Sequence, residues 1–415
     1  LSFRKNIITT YAAQIISVLC SFLCAIMGAR MLGAFGQGEL ALYTNFILLS
    51  SLLLGAGLPA GIVHFIAARK IEQKQVLSIL LTVLFAGFTL LLLALGILQQ
   101  TALLSTFIPT LFHHNSVWFW LMLLHLLLVL LNIFLSSILQ AEGLFSKASY
   151  ILISGSITLL LLYALRYFAI TGIHIPPLNW ILLALISSQL IQLFFFLRQV
   201  YTTNPDYLHL EQIQIGAIRP LIQFAFLAFM TNLIQFLSYK MDIWFVNYFH
   251  GKQLTGIYAL GVSLAQMLWL LPSAIQSVLY AFISTHTDRQ LMIQRTIKTT
   301  KQIGLYAISA GIAGYLLSLY LVPVLFGEEF RESVQCIGLL FIGVVPFCLS
   351  MAVSGYFAGT GRVRINLYSA ILGFIVCLAA DLLLIPSYGI LGAAIASSIS
   401  YISTVTFLLV KFHRD

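Results

Sequence analysis

Residues 238–259 read SYKMDIWFVNYFHGKQLTGIYA, and the fold turns on how this stretch accommodates Lys240 and Asp242. From Pro220 to Tyr239 the chain carries no charge, a run of about 20 residues that spans about 30 Å as a helix. The two charges then arrive where a membrane helix is expected to end. Placing either at mid-bilayer costs about 3 kcal/mol even on the lenient insertion scale. A chain that keeps both gives them water or a partner. The same stretch opens what reads as a second copy of the first half of the sequence.

Outward from this point, the composition sets the class. Of 415 residues, 60% are hydrophobic and 8% charged, where soluble domains carry roughly 25% charged residues. The mean hydropathy is +1.02. Apolar runs of about 20 residues recur from end to end, too long and too continuous for barrel strands. The backbone must satisfy itself in lipid, so the expected fold is an all-α integral membrane protein. The net charge of +9 does not indicate nucleic acid, because the basic residues sit in short loops between spans. Cys20, Cys24, Cys336, Cys348 and Cys377 all lie in apolar runs without a CxxC. They read as small buried hydrophobes, with no disulfide, metal or cofactor expected. No cleavable signal peptide is read in the first apolar run.

Twelve spans are predicted: 7–29, 40–67, 77–98, 117–139, 150–170, 180–199, 220–246, 254–283, 303–326, 334–358, 366–385 and 389–410. With the N-terminus inside, only Arg30, Arg166, Lys240, Lys252 and Arg331 fall on the outer side, leaving 21 − 5 = 16 of the 21 Lys and Arg inside. This bias predicts cytoplasmic N- and C-termini. The polar segment at 201–219, with Pro205 inside it and Pro220 just beyond, reads as a cytoplasmic linker. It divides an N-terminal six-helix bundle (1–200) from a C-terminal one (220–415). Matching landmarks support a duplication. Gly38 and Gly256 open spans two and eight, an offset of 256 − 38 = 218. GLFSKASY (143–150) and GRVRINLY (361–368) repeat that offset, and IPTLF (108–112) matches VPVLF (322–326) at 322 − 108 = 214. Copies of six helices share one orientation, so the expected symmetry axis runs along the membrane normal with a substrate path between the halves.

Several stretches resemble the polysaccharide transporter (O-antigen flippase) branch of the multidrug/oligosaccharidyl-lipid/polysaccharide exporter superfamily. They are ARMLG at 29–33 with Phe35, Gly36, Gly38 and Tyr43; GAGLPAGIVHFIA at 55–67; the segment from Asp242 to Tyr258; LFGEEF at 325–330; and LIPSYGILGAA at 384–394. The order of these segments is the family's order, and they span nearly the whole chain. The resemblance implies two pseudo-symmetric six-helix bundles in a MATE-like, V-shaped arrangement, exposing a cavity alternately to each side. It implies an undecaprenyl-pyrophosphate-linked oligosaccharide as cargo, flipped from the inner to the outer leaflet of a bacterial cytoplasmic membrane during O-antigen, capsule or exopolysaccharide synthesis. A polysaccharide polymerase and glycosyltransferases are the partners that would accompany it. The family often has a neutral residue near Asp381, which leaves the role of that acid open.

Flipping a glycolipid requires shielding the sugar and diphosphate while the tail stays in hydrocarbon. Basic side chains suit the diphosphate, Arg by a bidentate fork and Lys as a point charge. By residue spacing, Arg30, Arg166 and Lys240 lie near the outer interface, His64 about 8 Å inside the inner face and His125 about 10 Å below the outer one. Asn132 and Gln235 are among amides at mid-depth, where no formal charge occurs. The candidate substrate-binding set is therefore Arg30, Lys240, Asp242, Arg166, His64, Asn132 and Gln235. Asp381 and His125 are candidates for a coupling ion or proton. Each has a plainer reading: a snorkelling lysine for Lys240, helix-end anchors for Arg30 and Arg166, an interface residue for His64, a satisfied core histidine for His125, a hydrogen-bonded structural acid for Asp381. Lys252 and Arg331 are expected to be solvated loop charges. Lys240 and Asp242 point about 200° apart on an intact helix and do not pair directly.

Two rival functions stand against this reading. An ion-coupled multidrug exporter of the same superfamily is expected to hold acids deep in a lobe, whereas the charges here lean basic on the outer side. A membrane-embedded glycan polymerase or transferase needs a large outer loop with catalytic groups, which this chain lacks. The chain also has no GxxxxGK[ST] phosphate loop for direct ATP driving.

Overall fold

The computed structural model describes residues 2–69, 72–98, 116–168, 175–211, 215–286 and 288–415. Among these residues regular structure is helical throughout. Eleven helices are seen: α1 (Ser2–Gly55), α2 (Leu58–Ala67), α3 (Gln73–Leu98), α4 (Ser116–Ala141), α5 (Phe145–Tyr167), α6 (Pro177–Thr203), α7 (Ile215–Gln266), α8 (Leu270–Thr285), α9 (Arg289–Phe326), α10 (Ser333–Gly359) and α11 (Val363–His413). Nine described stretches are long and apolar enough to cross a bilayer. The chain is a multi-pass membrane protein. IPTLF at 108–112 and the outer loop from Gln99 lie outside the described residues.

Three helices are not continuous. Non-helical glycines break α1 at Gly33, α7 at Gly251 and α11 at Gly389. The breaks at Gly33 and Gly251 fall between two spans predicted from hydropathy, and that at Gly389 falls on the first residue of the predicted span 389–410. The helical rods simply run closer to each break than hydropathy suggests. Lys240 and Asp242 are thus inside a helix that continues to Gly251, not at its end.

The chain forms two compact units. The first comprises Leu1–Leu32 and Leu42–Leu233, the second Gly33–Ala41 and Ile234–Asp415. In the first unit α4 is central, 67% buried along its apolar window, with α2, α5 and α6 packed around it. In the second, α10 takes that place, 61% buried, against α8, α9 and α11. Peripheral helices turn large apolar side chains outward, as Leu90, Leu93 and Ile97 do on α3 and Leu305, Ile312 and Tyr320 on α9. Outward apolar side chains are what hydrocarbon solvent demands.

After α6 the chain makes a short turn at Pro205–Leu208. Tyr207 is buried there and donates to Glu142, while Asn204 donates to Gln73. The start of the linker is therefore fastened to the first unit.

Candidate functional site

The broken helices assemble a buried acidic cluster in the second unit. Asp242 precedes the break in α7, and Tyr258 follows it. Cys377 and Asp381 precede the break in α11, and Ser397 follows it. Folding each helix back on itself brings all five together. Asp242 is 3% exposed and Asp381 fully buried. Asp242 Oδ2 accepts from the Tyr258 hydroxyl at 2.5 Å and from Ser397 Oγ at 3.2 Å, and its Oδ1 accepts from the Ile243 amide at 2.8 Å. Three donors thus satisfy this buried carboxyl group.

Asp381 is served less well. Cys377 Sγ lies 3.5 Å from its Oδ2, and the same sulfur sits 3.8 Å from the Ser238 carbonyl. Asp381 Oδ1 is buried with no hydrogen-bond partner among the described residues. An unpaired charge at such a buried position is costly. Among the described residues no three His, Cys, Asp or Glu side chains converge in a way that could hold a metal ion, so any cation here would rely on the two aspartates, hydroxyls and carbonyls.

Among the described residues Lys240 and Asp242 form no ion pair, in keeping with their spacing. The Lys240 Nζ lies 3.4 Å from Gln266 Oε1. Gln235 is exposed, and its Nε2 reaches the Tyr239 hydroxyl at 3.4 Å.

The remaining candidates are in the first unit and stand apart from one another. Arg30 is exposed on α1. Arg166 donates to the Ile175 carbonyl at 3.1 Å, tying the end of α5 to the segment before α6. His64 is exposed and stacks on Phe224 with ring centroids 4.8 Å apart. His125 is buried on α4, its Nδ1 2.6 Å from the Tyr43 hydroxyl. Asn132, two turns further along the same helix, donates to both the backbone carbonyl and the side-chain oxygen of Gln189, at 2.9 and 2.7 Å. It borders a cavity formed by α2, α4, α5 and α6.

One charged pair escaped the sequence reading. Lys252, expected as a solvated loop charge, forms an ion pair with Glu39, the two side chains 13% and 4% exposed. The correction follows from the close packing of residues 33–41 inside the second unit. There the Ala34 amide donates to Glu329 Oε2 at 2.9 Å. A Cβ on Gly38 would fall on the Lys252 carbonyl, and one on Gly256 would fall on the Ala34 carbonyl. Only glycine permits this approach. The equal offset of Gly38 and Gly256 was the one available sign of it. Arg331, by contrast, is exposed and pairs with Glu328.

The breaks carry the same spacing. Gly33 has φ 64° and ψ −178°, and Gly251 has φ 78° and ψ 179°, at 251 − 33 = 218. Gly143 and Gly361, also 218 apart, have φ 74° and 77°. Shared unusual backbone at a fixed offset is the mark of a repeat.

A profile of the polysaccharide biosynthesis protein family matches residues 3–287. The chain belongs to this family. Among characterised relatives, the capsular polysaccharide biosynthesis protein CapF of Staphylococcus aureus is 31% identical over 112 residues, which cover 25% of this chain and 27% of CapF. Among solved structures, a MATE transporter of Vibrio cholerae superposes with a TM-score of 0.69 at 17% identity, covering 99% of this chain and 96% of that one. The lipid II flippase MurJ, in an inward closed conformation, gives 0.67 at 18% identity, covering 96% and 87%. The fold of this family member is therefore that of the transporters of the MOP superfamily. Tyr258 and Glu329 lie in stretches that carry the family resemblance, but Ser397 and Glu39 have no signature in the linear sequence, since hydroxyls and acids become partners only once distant spans meet.

Proposed function

We propose that the protein is a flippase. It moves an undecaprenyl-pyrophosphate-linked oligosaccharide from the inner to the outer leaflet of a bacterial cytoplasmic membrane by alternating access. The observation that carries this reading is membership of the polysaccharide biosynthesis family by a chain with the MOP transporter fold. The capsular relative is consistent with a product destined for capsule, O-antigen or exopolysaccharide.

In this reading Arg30 and Lys240 attract the diphosphate, and Arg166 and His64 add positive or polar character along the path. Asp381, with an unpartnered buried oxygen, carries the coupling proton or ion beside Asp242. His125, bound to Tyr43, is the second candidate for a coupling proton. No step of bond cleavage is required, so the protein acts as a transporter and not an enzyme.

The test is glycan export in cells deleted for their own flippase. The double variant Arg30→Gln/Lys240→Gln should insert at normal abundance and export less than a tenth of the wild-type glycan. Normal export by that variant overturns the assignment of the two cations. Export of cationic drugs with no effect on glycan would favour the multidrug reading instead.

A further inference from the structure

The cavity beside Asn132 has a chemistry that the flippase reading does not yet use. Its volume is about 470 Å³, within the roughly 300–1,000 Å³ of small-ligand sites. None of its twelve lining residues is charged or aromatic, and six carry an amide or a hydroxyl. Asn132, Ser136 and Gln140 follow one another at four-residue spacing on one face of α4, opposite Gln189 and Gln192 on α6. All of it belongs to the first unit.

The hydrogen bonds leave a pattern of unused capacity. Asn132 spends its amide protons on Gln189, so its buried Oδ1 is left without a donor. Gln140 donates to Ser136 Oγ at 3.1 Å. Gln192 is 9% exposed and makes no hydrogen bond among the described residues. It is held in place by Gly155 on α5, where any Cβ would occupy the position of its amide. Buried amides are normally satisfied, and here amides with unused capacity line an open space whose rim, at Ala60 and Leu152, is exposed.

A sugar hydroxyl both donates and accepts, which suits a lining of amides and hydroxyls. A phosphate brings only acceptors and charge, and would find no cation here. A lipophilic cation would find neither an acid nor an aromatic face. We infer that this cavity in the first unit is a binding subsite for an uncharged, hydroxyl-bearing sugar of the glycan, separate from whatever holds the diphosphate. This assignment rests on the reading of the protein as a glycan flippase.

The full chain in proteoliposomes tests it. All five native cysteines are buried, so a maleimide reports on Ala60→Cys at the rim against a low background. The probes are N,N′-diacetylchitobiose, maltose, sodium pyrophosphate and tetraphenylphosphonium. A neutral disaccharide should slow labelling, and Asn132→Leu should raise the concentration needed by roughly tenfold, as expected for one lost hydrogen-bonding group. Protection by pyrophosphate or tetraphenylphosphonium and not by either sugar overturns the proposal, as does protection that Asn132→Leu leaves unchanged. In parallel, Ala60→Trp should fill the cavity from an exposed position and lower glycan export at least tenfold with normal membrane abundance. If the wild type flips a lipid-linked glycan while Ala60→Trp exports normally and no sugar protects, the subsite fails and the flippase stands. If sugar protects but the wild type flips no lipid-linked glycan, the subsite stands and the flippase reading fails.

Discussion

At the scale of single residues, the buried charges are explained by partners that come from far along the chain. Glu39 is nearly inaccessible and meets Lys252 across 213 positions of sequence. Removing one partner of such a pair strands the other, a loss of about 3–5 kcal/mol. Lys252→Met should therefore lower the unfolding temperature in detergent sharply, while Glu39→Gln/Lys252→Met should recover most of it. An unchanged melting point for the single variant would mean that the pair is solvated. Tyr258→Phe removes one of the three donors to Asp242 and should cost about 1–3 kcal/mol, read by the same melt. Asp242 and Lys240 were conspicuous in the sequence because charges in apolar runs are rare. The Ser397 that donates to Asp242 was not, because a serine in an apolar span is unremarkable until the helices pack.

At the scale of elements, hydropathy located the spans and the gaps that hold Gly33 and Gly251, but not how short the joints are. Gly33 and Gly251 turn the chain within a residue or two, so helix continues almost to the bend. Their φ and ψ lie in a region that is essentially glycine's alone, costing about 1–3 kcal/mol for other residues. A Cβ at Gly251 would meet open space. Gly251→Ala should thus destabilise through the backbone alone, by about that amount, and Asn should bring no relief because ψ 179° is outside the left-handed helical well that it tolerates. Equal stability of Gly251→Ala and wild type in a thermal melt would contradict this. The linker behaves differently. Burial, and then the bond to Glu142, push the Tyr207 phenol above its ordinary range. Ionising it is harder folded than unfolded, so this contact holds at neutral pH and weakens as the pH climbs past about 10.

At the scale of the molecule, the repeated spacing of 218 was legible from Gly38 and Gly256, because close backbone approach leaves room for glycine alone. The cavity at Asn132 was legible only as a scatter of amides. Their convergence depends on which faces of α4 and α6 meet, and apolar spans do not encode that in periodicity alone. The distribution of Lys and Arg predicts that a phosphatase reporter fused within 201–211 or at the C-terminus stays inactive, as cytoplasmic fusions do. Activity at either point would invert the topology.

The seam at Gly38 and Gly256 is reciprocal: each glycine admits the backbone that precedes the other. Injury at one site therefore spends what the other had to lose. Gly38→Ala and Gly256→Ala together should unfold the protein no more readily than the worse of the two alone.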